Sequence, residues 1–270
     1  MSSLAAPLPT GLPVRLLWGF YDTGVLAWRN LLRVLRNPVF LVTEVVIQPV
    51  LFTLLFAYIF GGAIHIPGFA YIDFLMPGIF VQTITFGSMN TATGLAEDLE
   101  KGLMDRFRSL PVAYWAVPVA RVAADLVLDL SGLVLMISVA YLIGFRFHGG
   151  PGQTVGALAL VLLWGFAICC FGTLLGALLR KPTTVQAFGF LVMFPLTFAS
   201  STFVPVRTMP GWLEAFSGHS PITAVVDAAR HLILNTPGGE SSVAATLAWS
   251  VGVLAVSIPA AAYCFQRLTR

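Results

Sequence analysis

The chain has 270 residues, of which 57% are hydrophobic and only 10% charged, and its mean hydropathy is +0.87. Soluble domains carry roughly 25% charged residues, so the composition excludes a soluble globular fold and predicts an all-α polytopic membrane protein. The net charge of +3 is small, and the basic residues sit at the edges of apolar runs without aromatic interleaving, so no nucleic-acid surface is expected.

Residues 14–36 form an amphipathic stretch. Trp28, Leu31, Leu32 and Leu35 make an apolar stripe, and Arg29, Arg33 and Arg36 line another face. Such a helix suits the membrane interface, as a plain anchor or as a contact surface for a cytoplasmic partner. Pro38 then allows a sharp turn into the first span.

A spanning helix needs about 20 apolar residues, and six segments qualify: 39–60, 71–93, 114–144, 153–178, 184–204 and 243–264. The first carries Glu44 and Gln48 one turn apart, followed by Pro49 and Phe52. The second is polar along part of its length. Its hydroxyls can bond their own backbone, but Gln82 and Asn90 cannot do so easily and are candidates for interhelical bonds or a wet pathway. Phe194 and Phe198 in the fifth span are either core, lipid-facing or part of a greasy passage.

Between the second and third spans lies Gly94–Pro111. It holds Glu97, Asp98, Glu100, Lys101, Asp105, Arg106 and Arg108, which is 7 of the chain's 27 charges. Read as a helix over 95–110, it aligns Leu95, Leu99, Leu103 and Phe107 on one face, with acids first and most bases last, as the helix dipole prefers. Its net charge of −1 gives anionic lipid little to attract, so a protein partner is expected.

Arg121, Asp125 and Asp129 follow at i, i+4 and i+8 on the third span, so they share a face. An ion pair of Arg121 with Asp125 is expected, with the acids near the cytoplasmic end of the span, where charge costs less. Gly172-x-x-x-Gly176 and Gly152-x-x-x-Gly156 suit close helix packing. The stretch 205–238 is too long for an ordinary connection. Pro210 and Pro221 each open a helical pattern, which predicts two short amphipathic helices, an external hairpin that dips into the outer leaflet or re-enters the membrane, with Ser217 facing external water.

Basic residues set the orientation. With both termini in the cytoplasm, that side holds eleven arginines and lysines, while the outside holds only Arg146, Arg207 and Arg230. The charged segment then faces the cytoplasm.

No catalytic constellation emerges. Lys101 follows Glu100 and Lys181 follows Arg180, so neither belongs to a Gly-Lys phosphate loop. No Cys/His cluster has metal-ligand spacing, and His219-Ser220 has no second histidine within a span. The residues fit a transport subunit that borrows its energy from an ATPase partner. The rival is a self-sufficient secondary transporter or channel, which acids at the membrane midplane would favour.

The run Tyr71–Gln82 followed by Gly94–Pro111 resembles the permease subunits of type-2 ABC exporters, most closely the daunorubicin-resistance branch. Gln48–Phe52, Ser201–Leu213 and Pro221–Arg230 extend the similarity along the chain in order. The resemblance implies a six-helix permease of the bacterial plasma membrane that pairs with a second, identical or paralogous permease. Two ATPase subunits would bind ATP and Mg, and this chain would hold no cofactor or metal. Glu97–Arg108 would be the coupling helix, the N-terminal helix a second ATPase contact, and the first, second and fifth spans the lining of the path. Its substrates would be amphipathic drugs, antibiotics or complex lipids; export of a polysaccharide or lipid-linked glycan ranks lower.

Overall fold

The computed structural model describes residues 12–60, 70–102, 116–236 and 239–269, and among them the regular structure is helical throughout. Helix α1 covers Leu12–Leu35. The chain turns at Asn37, the residue before Pro38, which proline sterics push out of the helical region. Three abutting segments, Pro38–Phe40, the π-helical Leu41–Ile47 and Gln48–Phe60, make up α2. Pro49 has no N–H and its ring presses on the carbonyl four residues back; a widened turn directly before it relieves that clash.

Helix α3, Tyr71–Glu100, is 30 residues long. At 1.5 Å per residue it extends about 45 Å, well beyond the roughly 30 Å hydrocarbon thickness of a bilayer. Its charged last turns can therefore stand clear of lipid while its first turns stay within it. Helix α4 covers Ala116–Ile143 and stops at Gly144, whose φ of +108° no L side chain adopts comfortably. Helix α5, Pro151–Leu179, opens with proline at its first position, and Gln153 Oε1 accepts the Gly150 N–H at 2.9 Å. Arg180 closes it in the left-handed region and Pro182 opens α6, Pro182–Phe198. Two short helices follow, α7 (Gly211–Gly218) and α8 (Pro221–Leu234), each directly after a proline or beginning with one. Helix α9, Glu240–Thr269, ends the described chain.

Four helices are long and apolar enough to cross a membrane: α3, α4, α5 and the Glu240–Arg267 part of α9. Gln48–Ile59 and Pro182–Phe198 are apolar but shorter. The sequence carries the fifth apolar run to residue 204; the helix ends at Phe198 because the chain turns through Ser200–Thr202, held by Ser200 Oγ to Thr197 O at 2.5 Å.

Helices α3 and α5 form the interior, with α4 and α9 outside them. Trp164 of α5 is fully buried, and its Nε1 donates to Thr85 Oγ1 of α3 at 3.0 Å. Backbones approach closely where Gly172 and Gly176 face α3: a Cβ at either would lie 2.6 Å from Ser88 O or 2.5 Å from Ala92 O. Gly152 has nothing within 4 Å, so of the two glycine pairs only the later one packs α3 through both members. The most polar long helix is thus the most buried, and the apolar flanks of α4 and α9 remain outward. That is the arrangement a lipid solvent favours, because buried hydroxyls bond in place: Thr85 to Val81 O and Ser88 to Thr85 O, both at 2.7 Å.

The stretch after α6 is integral to this core. Ile222, Val225, Val226, Ala229 and Ile233 of α8, whose helical spacing the sequence shows, are fully buried in the cluster that holds Trp164 and Phe80. Arg230 is also buried rather than an exposed external charge. Its Nε donates to Phe74 O at 3.1 Å, Nη2 to Ser201 O at 2.9 Å and Nη1 to Asp227 at 3.0 Å, and its guanidinium lies 3.5 Å from the Phe74 ring centre. Ser217 does not face water: it is buried and donates to Ala199 O at 2.9 Å.

Candidate functional site

A cleft of about 730 Å³ opens between α1, α2, α3, α4 and α6. Gln48, Phe52, Gln82, Asn90, Phe194 and Phe198, the residues the sequence offers for a passage, all line it. Helical spacing on α6 stacks Phe190, Phe194 and Phe198 with ring centres 5.1 and 4.3 Å apart. The aromatic series continues through Phe203 (5.0 Å from Phe198) and Phe56 (4.2 Å from Phe203) to Phe52 at 5.9 Å. One side of the cleft is therefore aromatic. The opposite side, built by α3 and α4, is polar: Gln82, Asn90, Arg121, Asp125 and Asp129.

At the cytoplasm-assigned end of the cleft the charges are organised around Asp98. This carboxylate is buried, 3.0 Å from Arg33 Nη1 of α1 and 3.8 Å from Arg121 Nη1 of α4. Arg121 also reaches Asp125 at 3.3 Å and donates to Asn90 O at 3.0 Å. Gly94 makes room for it, since a Cβ there would fall 1.6 Å from Arg121 Nη2. One acid thus ties the last turns of α3 to two other helices. The sequence places Asp98 among seven charges without distinguishing it. The available signal was its register: Thr91, Leu95 and Asp98 lie on one inward face, and Leu95 packs on Ala177 and Phe265.

Of the other charges here, Glu97 is half-exposed and lines the cleft. Glu100 is exposed, and Lys101 pairs with Glu97 at 3.1 Å, i to i+4, on the surface. Arg36 is exposed at the end of α1, whereas Arg33 is turned to Asp98. Arg29 is partly buried, and desolvation, then the neighbouring Arg33, lowers its pKa from the usual arginine value. Asp105, Arg106 and Arg108, with Leu103 and Phe107, lie outside the described residues. No break separates the second span from the charged segment: α3 runs unbroken to Glu100, and the chain leaves it at Lys101 and Gly102, the latter at φ +66°.

Asp129 departs from the expectation for its face. It lies thirteen residues after Ala116 and fourteen before Ile143, at the middle of α4 rather than near its end. The i, i+4, i+8 spacing was right for the shared face; the expected bounds of 114–144 already put residue 129 at their centre, so an acid near the end did not follow from them.

An oily bundle with a polar interior helix, an aromatic-lined cleft and a charged end on that same helix defines a membrane transport subunit. The chain belongs to the ABC-2 type transporter family, whose model matches residues 21–234. It is similar to a daunorubicin resistance ABC transporter permease protein of Streptomyces coeruleorubidus, 33% identical over 86% of this chain and 81% of that one. A probable doxorubicin resistance ABC transporter permease protein of Mycobacterium tuberculosis is 25% identical over 82% of this chain and 80% of its own length. A putative transport permease of Cyanophora paradoxa is 28% identical over 77% and 72%. The chain is accordingly a multi-pass permease subunit of an ABC exporter. Such subunits are non-catalytic and carry no cofactor, the ATPase being a separate chain.

Proposed function

We propose that this permease moves hydrophobic or amphipathic compounds, in the class of drugs, antibiotics or complex lipids, out across a bacterial plasma membrane. In this reading α2 and α6 complete a six-span layout despite their shorter lengths, and both termini face the cytoplasm. Two ATPase subunits, binding ATP and Mg, dock below, and a second permease, identical or paralogous, pairs with this one. Glu97, Asp98, Glu100, Lys101, Asp105, Arg106 and Arg108 belong to the coupling segment, with Arg29, Arg33 and Arg36 as a second contact region. Gln48, Phe52, Gln82, Asn90, Phe194 and Phe198 border the transport path.

The observation that carries this reading is the continuity of α3. One helix lines the cleft with Gln82 and Asn90 and ends, without a break, in half-exposed Glu97 and exposed Glu100. Asp98 links that end to α1 and α4, both of which also line the cleft. A force applied at Glu100 therefore reaches three walls of the cleft through rigid helices and ion pairs. The test is Glu100→Lys in the reconstituted complex with its ATPase subunit. Glu100 is exposed, so the variant should fold normally yet lose transport-stimulated ATP hydrolysis. Stimulation at the wild-type level would refute the coupling assignment.

A further inference from the structure

The cleft is closed at the end away from Asp98. Along α3 its lining begins at Gln82, along α2 it stops at Phe52 and along α6 at Phe198. One turn beyond Phe52 stands Phe56, buried, and against it lies buried Phe203, with ring centres 4.2 Å apart. The Phe198 ring is 6.5 Å from that of Phe56 and 5.0 Å from that of Phe203. Three rings, from α2, α6 and the turn after α6, therefore shut this end.

Phe203 belongs to no helix, so its position depends on what holds the turn before it. Tyr71 OH of α3 donates to Phe203 O at 3.2 Å, and Ser201 Oγ donates to Asp227 of α8 at 2.7 Å. Arg230 ties both helices to the turn, donating from Nη2 to Ser201 O and from Nε to Phe74 O of α3. The α3 side of the seat is open only because Gly78 lacks a side chain: a Cβ there would run into Thr202 O. Pro77, just before it, has no N–H to give Asp73 O, which weakens α3 at the level of the seat.

The segment that carries Phe203 is bracketed by Thr197 in the last turn of α6 and Ser220 just before α8. They are 0% and 3% exposed, and neither hydroxyl has a hydrogen-bond partner among the described residues. Buried polar atoms are ordinarily satisfied, so a shift of this segment has hydrogen bonds to gain at both ends. Helix α7, in its middle, is exposed along most of its length, so little core resists such a shift.

We propose that Phe203, with Phe56 and Phe198, is the outer gate of the transport path, and that Arg230 is the positioning residue that keeps it shut. This rests on the reading of the cleft as that path, with Asp98 at its cytoplasmic end. Helix α3 carries the gate's seat at Phe74 and Gly78 and the charged end at Glu97 and Glu100. A displacement of α3 that withdraws Phe74 O from Arg230 frees the turn, and the rings part.

The test places single cysteines at the cleft-lining positions Thr83 and Asn90 in the chain assembled with its ATPase subunit. Their reaction with the membrane-impermeant reagent MTSET is followed from each face of sealed vesicles. Labelling of the parent chain is subtracted, because Cys169, Cys170 and Cys264 are free thiols. Without ATP, Asn90→Cys should react from the cytoplasmic face, and Thr83→Cys should be shielded from the outer face. Phe203→Ala and Arg230→Gln should each raise the outer-face rate at Thr83→Cys about tenfold, the scale of one lost charge-assisted hydrogen bond. The cytoplasmic rate at Asn90→Cys should not change, which separates gate opening from general loosening. Phe203→Trp should keep the shield, and ATP turnover should lift it in the otherwise unaltered chain. If Arg230→Gln does not assemble, Phe203→Ala and the ATP effect decide. An outer-face rate that ignores Phe203→Ala and ATP, or that is already fast without them, overturns the gate and leaves the cleft reading standing. A rate raised by Phe203→Ala but not by Arg230→Gln overturns the role of Arg230. Failure of Asn90→Cys to react from the cytoplasmic face overturns the cleft reading itself.

Discussion

The contact between α3 and α5 can be tested through a single methyl group. A Cβ at Gly176 would sit 2.5 Å from Ala92 O, and one at Gly172 would sit 2.6 Å from Ser88 O. Ordinary contact starts near 3.4 Å, so the helices must separate by roughly 0.8–0.9 Å to admit an alanine at either place. The obstacle in both cases is backbone, which cannot rotate away as a side chain can. Overpacking of this kind costs about 1–3 kcal/mol. Gly252 of α9 supplies the control, because nothing lies within 4 Å of it. There alanine meets no obstacle and gains up to about 1 kcal/mol of helix propensity. In a thermal melt of the detergent-solubilised chain, Gly176→Ala should fall by roughly 2–8 °C, while Gly252→Ala should hold or rise. Because α3 carries Asp98 to Arg33 and Arg121, Gly176→Ala should also reduce transport-stimulated ATP hydrolysis in the complex. A Gly176→Ala chain that melts at or above the wild type would refute the close approach of these helices.

The other expectations concern charge and topology. Asp98→Asn should lower stability by about 1–2 kcal/mol, because it removes the buried carboxylate shared by half-exposed Arg33 and largely buried Arg121, which keeps Asp125; Glu100→Gln, exposed, should change the melt by less than about 0.5 kcal/mol. Arg230→Met should strand the carbonyls of Phe74 and Ser201 together with Asp227, cost about 3 kcal/mol and speed proteolysis between α6 and α7, with an unchanged digestion pattern counting against the clamp. A cysteine at exposed Glu214 should react with a membrane-impermeant maleimide added outside intact cells, and one at Glu100 only after permeabilisation; the reverse order would invert the topology. The choice of Glu214 follows from the burial of Ser217, which would have made it a misleading reporter.

How much of the site was legible varied from residue to residue. The six candidate residues all line one cleft, but spacing alone does not separate them from the chain's other phenylalanines and span hydroxyls, which are equally eligible by type. The Arg121–Asp125 contact is legible because helical spacing alone puts i and i+4 together. Asp98 was not singled out, since six other charges share its segment and only the packing of α3 against α1 and α4 chooses the one that turns inward. Asp129 was legible but misplaced: the apolar run 114–144 itself centres on residue 129, and only its membership of a charge cluster that starts near the cytoplasmic end suggested otherwise.

By itself, the sequence determined the membrane class, the helical runs, the turn points at proline and glycine, and a densely charged segment after the second span. These follow from composition and from local steric rules that act within a few residues. Only the tertiary structure decided that the most polar long helix lies at the centre, that α8 belongs to the core, and that the aromatic and acidic residues of five helices enclose one cleft. Those outcomes depend on which faces meet across long stretches of chain. Local spacing fixes a face, but the choice of its neighbour rests on close fits such as Gly176 against Ala92 O.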